Sequence, residues 1–115
     1  MRRIYIAGPY RAATPSDVDR NILQAREAQA ELLRRGHAPF CPHAMTAQFE
    51  RSFPDIPDEC YLESDKLWLR QCEALVLLPG WEKSEGARGE VALAEELGLV
   101  VFMSASEVPA ADEWD

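Results

Sequence analysis

The sequence predicts an α/β protein with a doubly wound parallel sheet, in which helices cover both faces of four to five strands. Short apolar runs rich in β-branched residues alternate with longer segments of helical periodicity, which is the pattern of parallel sheets with helical crossovers. Gly-Pro or Pro-Gly follows two of these runs directly, as expected where a buried strand ends. The chain has 115 residues, of which 47% are hydrophobic, so we expect one three-layer domain over residues 1–115.

The first half of the chain contains two predicted strands and one long helix. Residues 3–7 (RIYIA) read as a buried strand that ends at Gly8-Pro9. Apolar residues then recur at helical spacing over residues 18–35, with Asp17 as the expected N-cap and Gly36 just beyond the end. Residues 37–41 (HAPFC) form a second strand, and the internal Pro39 predicts that it lies at a sheet edge.

The second half contains two further strands and two helices. Residues 42–58 predict a surface loop or lid. Phe49 and Phe53 within it, and Tyr61 just after it, either line a pocket there or tie the segment to the body. A helix is expected over 59–71, a strand over 74–78, a helix from near Gly86 to Gly98, and a last buried strand over 99–103. Residues 104–115 read as an acidic tail.

This order of elements predicts where a ligand binds. In open parallel sheets, ligands lie beyond the carboxyl ends of the strands, where the strand order reverses. The first and third strands are the best candidates to flank that point, and their loops, 8–11 and 79–86, are the most unusual in the chain. The second loop opens a helix, whose N-terminal N–H groups favour an anion. Both features point to one site.

Composition excludes several classes of protein. A net charge of −8, from 20 acidic and 12 basic residues, argues against binding a nucleic-acid polymer. The longest apolar runs are far shorter than the roughly 20 residues that cross a bilayer, and we recognise no signal peptide. An odd number of cysteines without a CxxC pair indicates a reducing cytoplasm.

Motifs for common cofactors and hydrolases are also missing. The sequence has no GxGxxG, no GxxxxGK[ST] and no GxSxG, which disfavours dinucleotide enzymes, P-loop NTPases and serine hydrolases. His and Cys are too few and too scattered for a metal site. We therefore predict no metal and no cofactor. What remains is a set of carboxylates, a tyrosine, an arginine and a serine around a helix N-terminus.

Four motifs, taken in order, resemble the nucleoside 2-deoxyribosyltransferase superfamily, and in particular a small, poorly characterised branch of it. These are IYIAGPYR near the start, PH after the second strand, an Asp before CxALVLLPGW, and SxGAxxE at the next helix. The resemblance covers the chain from near Arg3 to near Phe102. It implies a flavodoxin-like, Rossmann-like fold, a dimer or higher homo-oligomer, and cleavage of the N-glycosidic bond of a nucleoside or nucleotide through a glycosyl ester on a glutamate.

Carried over residue by residue, Glu90 matches the superfamily's nucleophile, and it is expected in the first helical turn facing the ligand. Asp65 matches the acid that assists the leaving base, and Gly8, Pro9 and Tyr10 match the loop around base and sugar. Ser84 stands where the transferases carry an Asp; a Ser there is similar to the 2′-deoxynucleoside 5′-monophosphate N-glycosidases, which favours a phosphorylated substrate.

The residue types agree with this chemistry. A carboxylate stabilises and can trap the positive charge that develops on the sugar carbon, and a second carboxyl can protonate the base. Arg11, Ser84 and the N–H groups of Gly86 and Ala87 make a plausible anion cradle. His43 either packs in a turn or faces the same cleft, Ser84 also suits an N-cap, and Trp81 either stacks on a base or covers the sheet end.

The expected activity is therefore glycosyl transfer or hydrolysis by an enzyme. One alternative is a nucleotide or ADP-ribose-type binding module without turnover. The other is a phosphoribohydrolase, because the pattern PGW…GA..E in this chain loosely resembles the PGG.GT..E loop of that group.

Overall fold

The computed structural model describes residues 1–114, and in that part of the chain four strands form one parallel sheet. The strands are β1 (Arg3–Ala7), β2 (Ala38–Phe40), β3 (Ala74–Leu77) and β4 (Val100–Phe102). Their order across the sheet is β2-β1-β3-β4, and every adjacent pair is parallel. The predicted doubly wound α/β fold is confirmed.

Five α-helices accompany the sheet in residues 1–114: α1 (Pro15–Arg34), α2 (Pro42–Met45), α3 (Phe49–Ser52), α4 (Asp58–Leu69) and α5 (Glu85–Glu96). The segment expected to be a loop or lid thus contains two one-turn helices, α2 and α3. None of the described helices is long and apolar enough to cross a membrane.

The start of α1 differs from the prediction. Thr14 is the N-cap, because its Oγ1 accepts a hydrogen bond of 3.2 Å from the backbone N–H of Asp17. Asp17, the predicted cap, lies instead in the first turn, where its negative charge complements the helix dipole. The helix therefore begins three residues earlier than its apolar periodicity indicates.

Strand side chains alternate between two apolar layers, because successive residues of a strand point to opposite faces. One layer contains Ile4, Ile6 and Val76 and packs with residues of α1. The other contains Tyr5, Leu75 and Leu77 and packs with residues of α4 and α5. The result is the expected three-layer arrangement.

The two edges of the sheet match the sequence predictions unequally. β2 lies at one edge, as Pro39 predicts. β4 lies at the other edge, and the prediction that it is a buried strand is wrong, since 48% of Val100 is exposed. An edge strand has one neighbour, so its apolar residues are only half covered.

The segment after β4 is not a free acidic tail. Val108 is fully buried in the α1 layer. The rings of Phe102 and His37 pack edge-on against Trp114, and the guanidinium of Arg2 lies 4.5 Å from the centre of the Trp114 ring. The tail prediction is corrected for residues 104–114, and Asp115 lies outside the described residues. The acidic composition of this segment hid two apolar anchors, Val108 and Trp114.

Candidate active site

A cleft of about 950 Å³ opens beyond the carboxyl ends of β1 and β3. β1 pairs with β2 on one side and with β3 on the other, so the strand order reverses there, as predicted. Of the eleven site residues predicted from the sequence, ten line this cleft: Gly8, Pro9, Tyr10, Arg11, His43, Asp65, Ser84, Gly86, Ala87 and Glu90. Their roles stay predictions, but all ten residues line the same cleft and could contact one ligand.

Gly8 is buried where the end of β1 approaches β3. A Cβ atom at this position would lie 2.5 Å from the Cβ atom of Leu78, which is far inside van der Waals contact. Only glycine allows this approach, so the loop after β1 stays close to the loop after β3. The floor of the cleft depends on it.

Tyr10 connects the loop after β1 to the segment around α3. Its hydroxyl donates to the carboxylate of Glu50 at 2.8 Å and accepts the backbone N–H of Gln48 at 2.8 Å. Its carbonyl accepts a hydrogen bond from the amide of Asn21 at 3.0 Å. The polar groups of Tyr10 are therefore engaged within the protein, which leaves its ring as the part available to a ligand.

Arg11 is not a free member of the predicted anion cradle. Its guanidinium pairs with the carboxylate of Asp58, with 2.5 Å between Nη2 and Oδ1. Both side chains are exposed, and they join the loop after β1 to the first turn of α4 across the cleft. A ligand anion would have to compete with Asp58 for this guanidinium.

His43 is a buried member of the cleft lining, with 7% of its surface exposed. Its Nε2 donates to the carbonyl of Pro9 at 3.0 Å, while Nδ1 has no hydrogen-bond partner among the described residues. Burial lowers the pKa of the imidazole, although the carbonyls of Pro9 and Gly8 oppose this effect. His43 is thus a neutral ring whose Nδ1 is a hydrogen-bond acceptor.

The N-terminus of α5 forms the wall below β3. Ser84 is the N-cap, and its hydroxyl accepts the N–H of Ala87 at 3.2 Å. The predicted cradle is therefore altered, since that N–H is already used. The N–H groups of Glu85 and Gly86 precede the first intrahelical bonds and keep no partner within the helix, so the anion-binding capacity resides in them.

Glu90 is the sixth residue of α5, so it lies in the second turn and not in the first turn as predicted. Its side chain is partly buried, and its Oε2 accepts a hydrogen bond from the hydroxyl of Tyr5 on β1. Burial raises the pKa of the Glu90 carboxyl to about 7; the Tyr5 hydrogen bond opposes the rise, and the charge of Asp65 adds to it. Glu90 is therefore partly ionised near neutral pH.

Asp65 of α4 lines the same cleft. Burial raises the pKa of its carboxyl to about 6. The two carboxyls are close enough for the charge of Asp65 to disfavour ionisation of Glu90. A pair of carboxyls that share protons near neutral pH can supply one nucleophile and one acid.

Trp81 is the predicted residue that does not line the cleft. It lies in a short 3₁₀ helix after β3 and packs on the layer that contains Tyr5 and Leu75. Of the two interpretations that the sequence left open, covering the end of the sheet is the one observed. Gly80 turns the chain there with φ +87°, a conformation that glycine adopts without strain.

Sequence reasoning did not assign Tyr5, Lys66 or Lys83 to the site. The signal for Tyr5 was available, because a tyrosine inside an otherwise apolar buried strand requires a polar partner.

Tyr61, one of the three aromatic residues whose role the sequence left open, lines the cleft, whereas Phe49 and Phe53 pack edge-on against each other. No group of three or more His, Cys, Asp and Glu side chains in residues 1–114 is arranged to hold a metal ion.

Two solved structures that share this fold are deoxyribosyltransferases. A 2-desoxiribosyltransferase from Leishmania mexicana matches with a TM-score of 0.58 at 19% identity, over 88% of this chain and 62% of that one. A 2-deoxyribosyltransferase from Bacillus psychrosaccharolyticus matches with a TM-score of 0.56 at 17% identity, over 86% of this chain and 69% of that one. The chain has the fold of these enzymes, and the fold that the motif resemblance implies is confirmed.

The chain belongs to the family described as a domain of unknown function (DUF7768), whose family model matches residues 2–104. No curated protein matches the sequence. The chain spans 62% of the length of the Leishmania enzyme.

Proposed function

We propose that this protein is an enzyme that cleaves the N-glycosidic bond of a nucleoside or nucleoside 5′-monophosphate, with Glu90 as nucleophile and Asp65 as acid. The observation that carries the proposal is the pair of partly buried carboxyls in one cleft, one of them held by Tyr5. Even partial burial of two neighbouring carboxyls costs free energy, and carboxyls with raised pKa values in a cleft are candidates for a functional site. Their position, beyond the strand order reversal, is where α/β folds bind ligands.

The first step forms a glycosyl ester. An ionised oxygen of Glu90 attacks C1′ of the sugar, and the C1′–N bond breaks as its electron pair leaves with the base. Asp65 transfers its proton to that base, which leaves neutral. The Tyr5 hydroxyl holds Oε2 of Glu90, so the carboxylate is oriented and the other oxygen is available for attack.

The second step releases the sugar. Water, or the ring nitrogen of a second base, attacks C1′ and breaks the ester bond to Glu90, while the Asp65 carboxylate takes the proton of the attacking group. Hydrolysis and transfer share every residue proposed above. They differ only in which acceptor enters the cleft.

A phosphate on the substrate is best placed at the N-terminus of α5. The N–H groups of Glu85 and Gly86, the Ser84 hydroxyl and the neighbouring Lys83 can surround it. The rest of the lining has more carboxyls than cations, since Glu50, Asp58, Asp65 and Glu90 outnumber Arg11 and Lys66. A phosphate elsewhere in the cleft would meet these carboxylates, so the charge distribution orients the substrate.

The setting of the enzyme is part of the same proposal. Cys41, Cys60 and Cys72 are free thiols, which fits the reducing cytoplasm. We also propose that the protein works as a homodimer or larger homo-oligomer on small nucleosides or nucleotides, as its resemblance to the superfamily implies.

The test is release of base from a panel of 2′-deoxynucleosides and their 5′-monophosphates, measured by chromatography. We expect Glu90→Gln to lose at least about 100-fold in kcat and the parent enzyme to yield a glycosyl adduct on Glu90 by mass spectrometry. Glu95→Gln, an exposed glutamate of the same helix, is the matched control. If Glu90→Gln releases base as fast as the parent, the nucleophile is assigned wrongly. Saturable binding without base release from any compound would instead favour the nucleotide-binding alternative.

A further inference from the structure

Two residues of the cleft lining carry buried polar atoms that nothing in residues 1–114 satisfies. They are His43, through Nδ1, and Tyr61, through its hydroxyl oxygen; the side-chain oxygen of Gln48 is the third such atom in that part of the chain. Buried polar groups in native proteins are nearly always paired, and leaving one unpaired costs free energy. The cleft therefore has hydrogen-bonding capacity that a ligand can use.

The position of Tyr61 indicates which part of a ligand it meets. Tyr61 lies on α4 four residues before Asp65, and residues at this spacing are neighbours on one helix face. Asp65 is the proposed proton donor to the base, so Tyr61 stands beside the base. The phosphate end of the substrate is assigned to a different element, the N-terminus of α5.

The protonation state of Tyr61 defines its chemistry. Its hydroxyl lies near Glu50, Asp55, Asp58 and Arg11. Burial and the three carboxylates raise the pKa of the phenol, and Arg11 only partly opposes them. The hydroxyl thus keeps its proton and is a donor, whereas the neutral His43 Nδ1 is an acceptor.

We propose that Tyr61 is a specificity-determining residue, whose hydroxyl donates a hydrogen bond to an acceptor atom of the substrate's nucleobase. The inference rests on the proposed function, because Asp65 marks the side on which the base lies. A buried group built to pair with a substrate atom discriminates strongly against compounds that lack that atom. Tyr61 therefore selects among bases, while Glu90 and Asp65 carry out the reaction.

The test compares Tyr61→Phe with Ser64→Ala, which removes a hydroxyl from an exposed position of the same helix outside the cleft. Dissociation constants for free nucleobases, 2′-deoxynucleosides and 5′-monophosphates are measured by calorimetry, together with KM and kcat where base is released. We expect Tyr61→Phe to raise Kd and KM about 3- to 10-fold for compounds that carry the preferred base. The kcat of the variant should stay within about twofold of the parent value. The differences in Kd between the bases should become smaller.

Thermal unfolding of the free protein is a separate readout. Removing an unpaired buried hydroxyl should leave Tm unchanged or raise it, whereas a hydroxyl with a structural partner would give a lower Tm. A lower Tm, an unchanged base preference, or no binding of any compound in the panel would overturn the proposal. If the parent protein binds compounds without releasing base, and Tyr61→Phe weakens that binding, the result would support the role of Tyr61 and contradict only the proposed reaction.

Discussion

Tyr5 donates the hydrogen bond of its hydroxyl to Glu90, although the two residues are 85 positions apart. The contact joins the central strand β1 to the second turn of α5 through the apolar layer between them. Burial raises the pKa of both groups, so the proton stays on the phenol and the carboxylate accepts. Glu90 is thereby held in the cleft by the rigid core and not by a loop.

The pH dependence of catalysis follows from the two carboxyls. The proposed reaction needs Glu90 ionised and Asp65 protonated; because their pKa values are about 7 and about 6, this reactive form is the less populated of the two singly protonated forms of the pair. We expect a bell-shaped profile of kcat/KM with apparent pKa values near 6 and 7 that belong to the pair, and a maximum near pH 6.5. Asp65→Asn should lower the rate and abolish the alkaline limb. A profile with one limb near pH 4.5 would contradict the pairing.

Tyr5→Phe should change the alkaline limb of the same profile, because that limb reports the higher of the two pKa values, which is that of Glu90. The Tyr5 hydrogen bond lowers the pKa of Glu90, so its loss should raise that pKa and move the limb to higher pH. We expect kcat/KM at pH 6.5 to fall by about 10- to 100-fold. The aromatic ring remains, so its stacking with Phe40 at 5.5 Å is retained, and circular dichroism should match the parent. An unmoved limb would make Tyr5 a purely structural residue.

Glu90→Gln should alter how stability depends on pH. The folded state raises the pKa of Glu90 from 4.5 to about 7, so between these values it binds more protons than the unfolded chain, and the parent loses stability as pH rises. Glutamine carries no charge and avoids this loss. In urea unfolding, the variant should exceed the parent by on the order of 1–3 kcal/mol at pH 8 and should differ little at pH 4.5. Glu95→Gln, on the exposed side, should show no such divergence. If the free energies of unfolding of Glu90→Gln and of the parent changed in parallel with pH, the raised pKa of Glu90 in the folded state would be disproved.

Val108→Ala tests the packing of the C-terminal segment. Val108 is fully buried, and the guanidinium of Arg35 donates to its carbonyl at 2.8 Å, so the segment is attached to the end of α1. Loss of two methyl groups from this layer should lower the free energy of unfolding by about 1–3 kcal/mol. The exposed Ser106→Ala is the control, expected within about 0.5 kcal/mol of the parent. If both variants unfold alike, the segment contributes no stability.

Local signals were sufficient for the scaffold. The β-branched runs and their Gly and Pro boundaries predicted all four strands to within one or two residues, and Pro39 alone placed β2 at an edge. These features depend on backbone geometry and on alternation along a few residues, which a single sequence displays directly. The same signals failed at α1, because Thr14 and Asp17 are both good caps and periodicity starts only at the first buried residue.

The candidate site was predictable in its loops but not in its contacts. Residues after β1 and β3 had to meet once the sheet was parallel, so Gly8, Ser84 and Glu90 could be assigned to one cleft from sequence order. The sequence around Arg11 does not reveal its pairing with Asp58, and the sequence around Trp81 does not reveal its packing on the core. Each depends on competition among partners distant in sequence.

The sequence by itself determined the order of elements, the sheet in which they pair and the edge of the sheet at which the candidate site lies, because these follow from periodicity and turn residues. Tertiary structure decided which groups share protons and which are already bound. The pKa of Glu90 depends on burial, on the Tyr5 hydroxyl and on the charge of Asp65, and all three arise only when β1, α4 and α5 are packed together. A carboxylate becomes reactive through its surroundings, and those surroundings exist only in the folded chain.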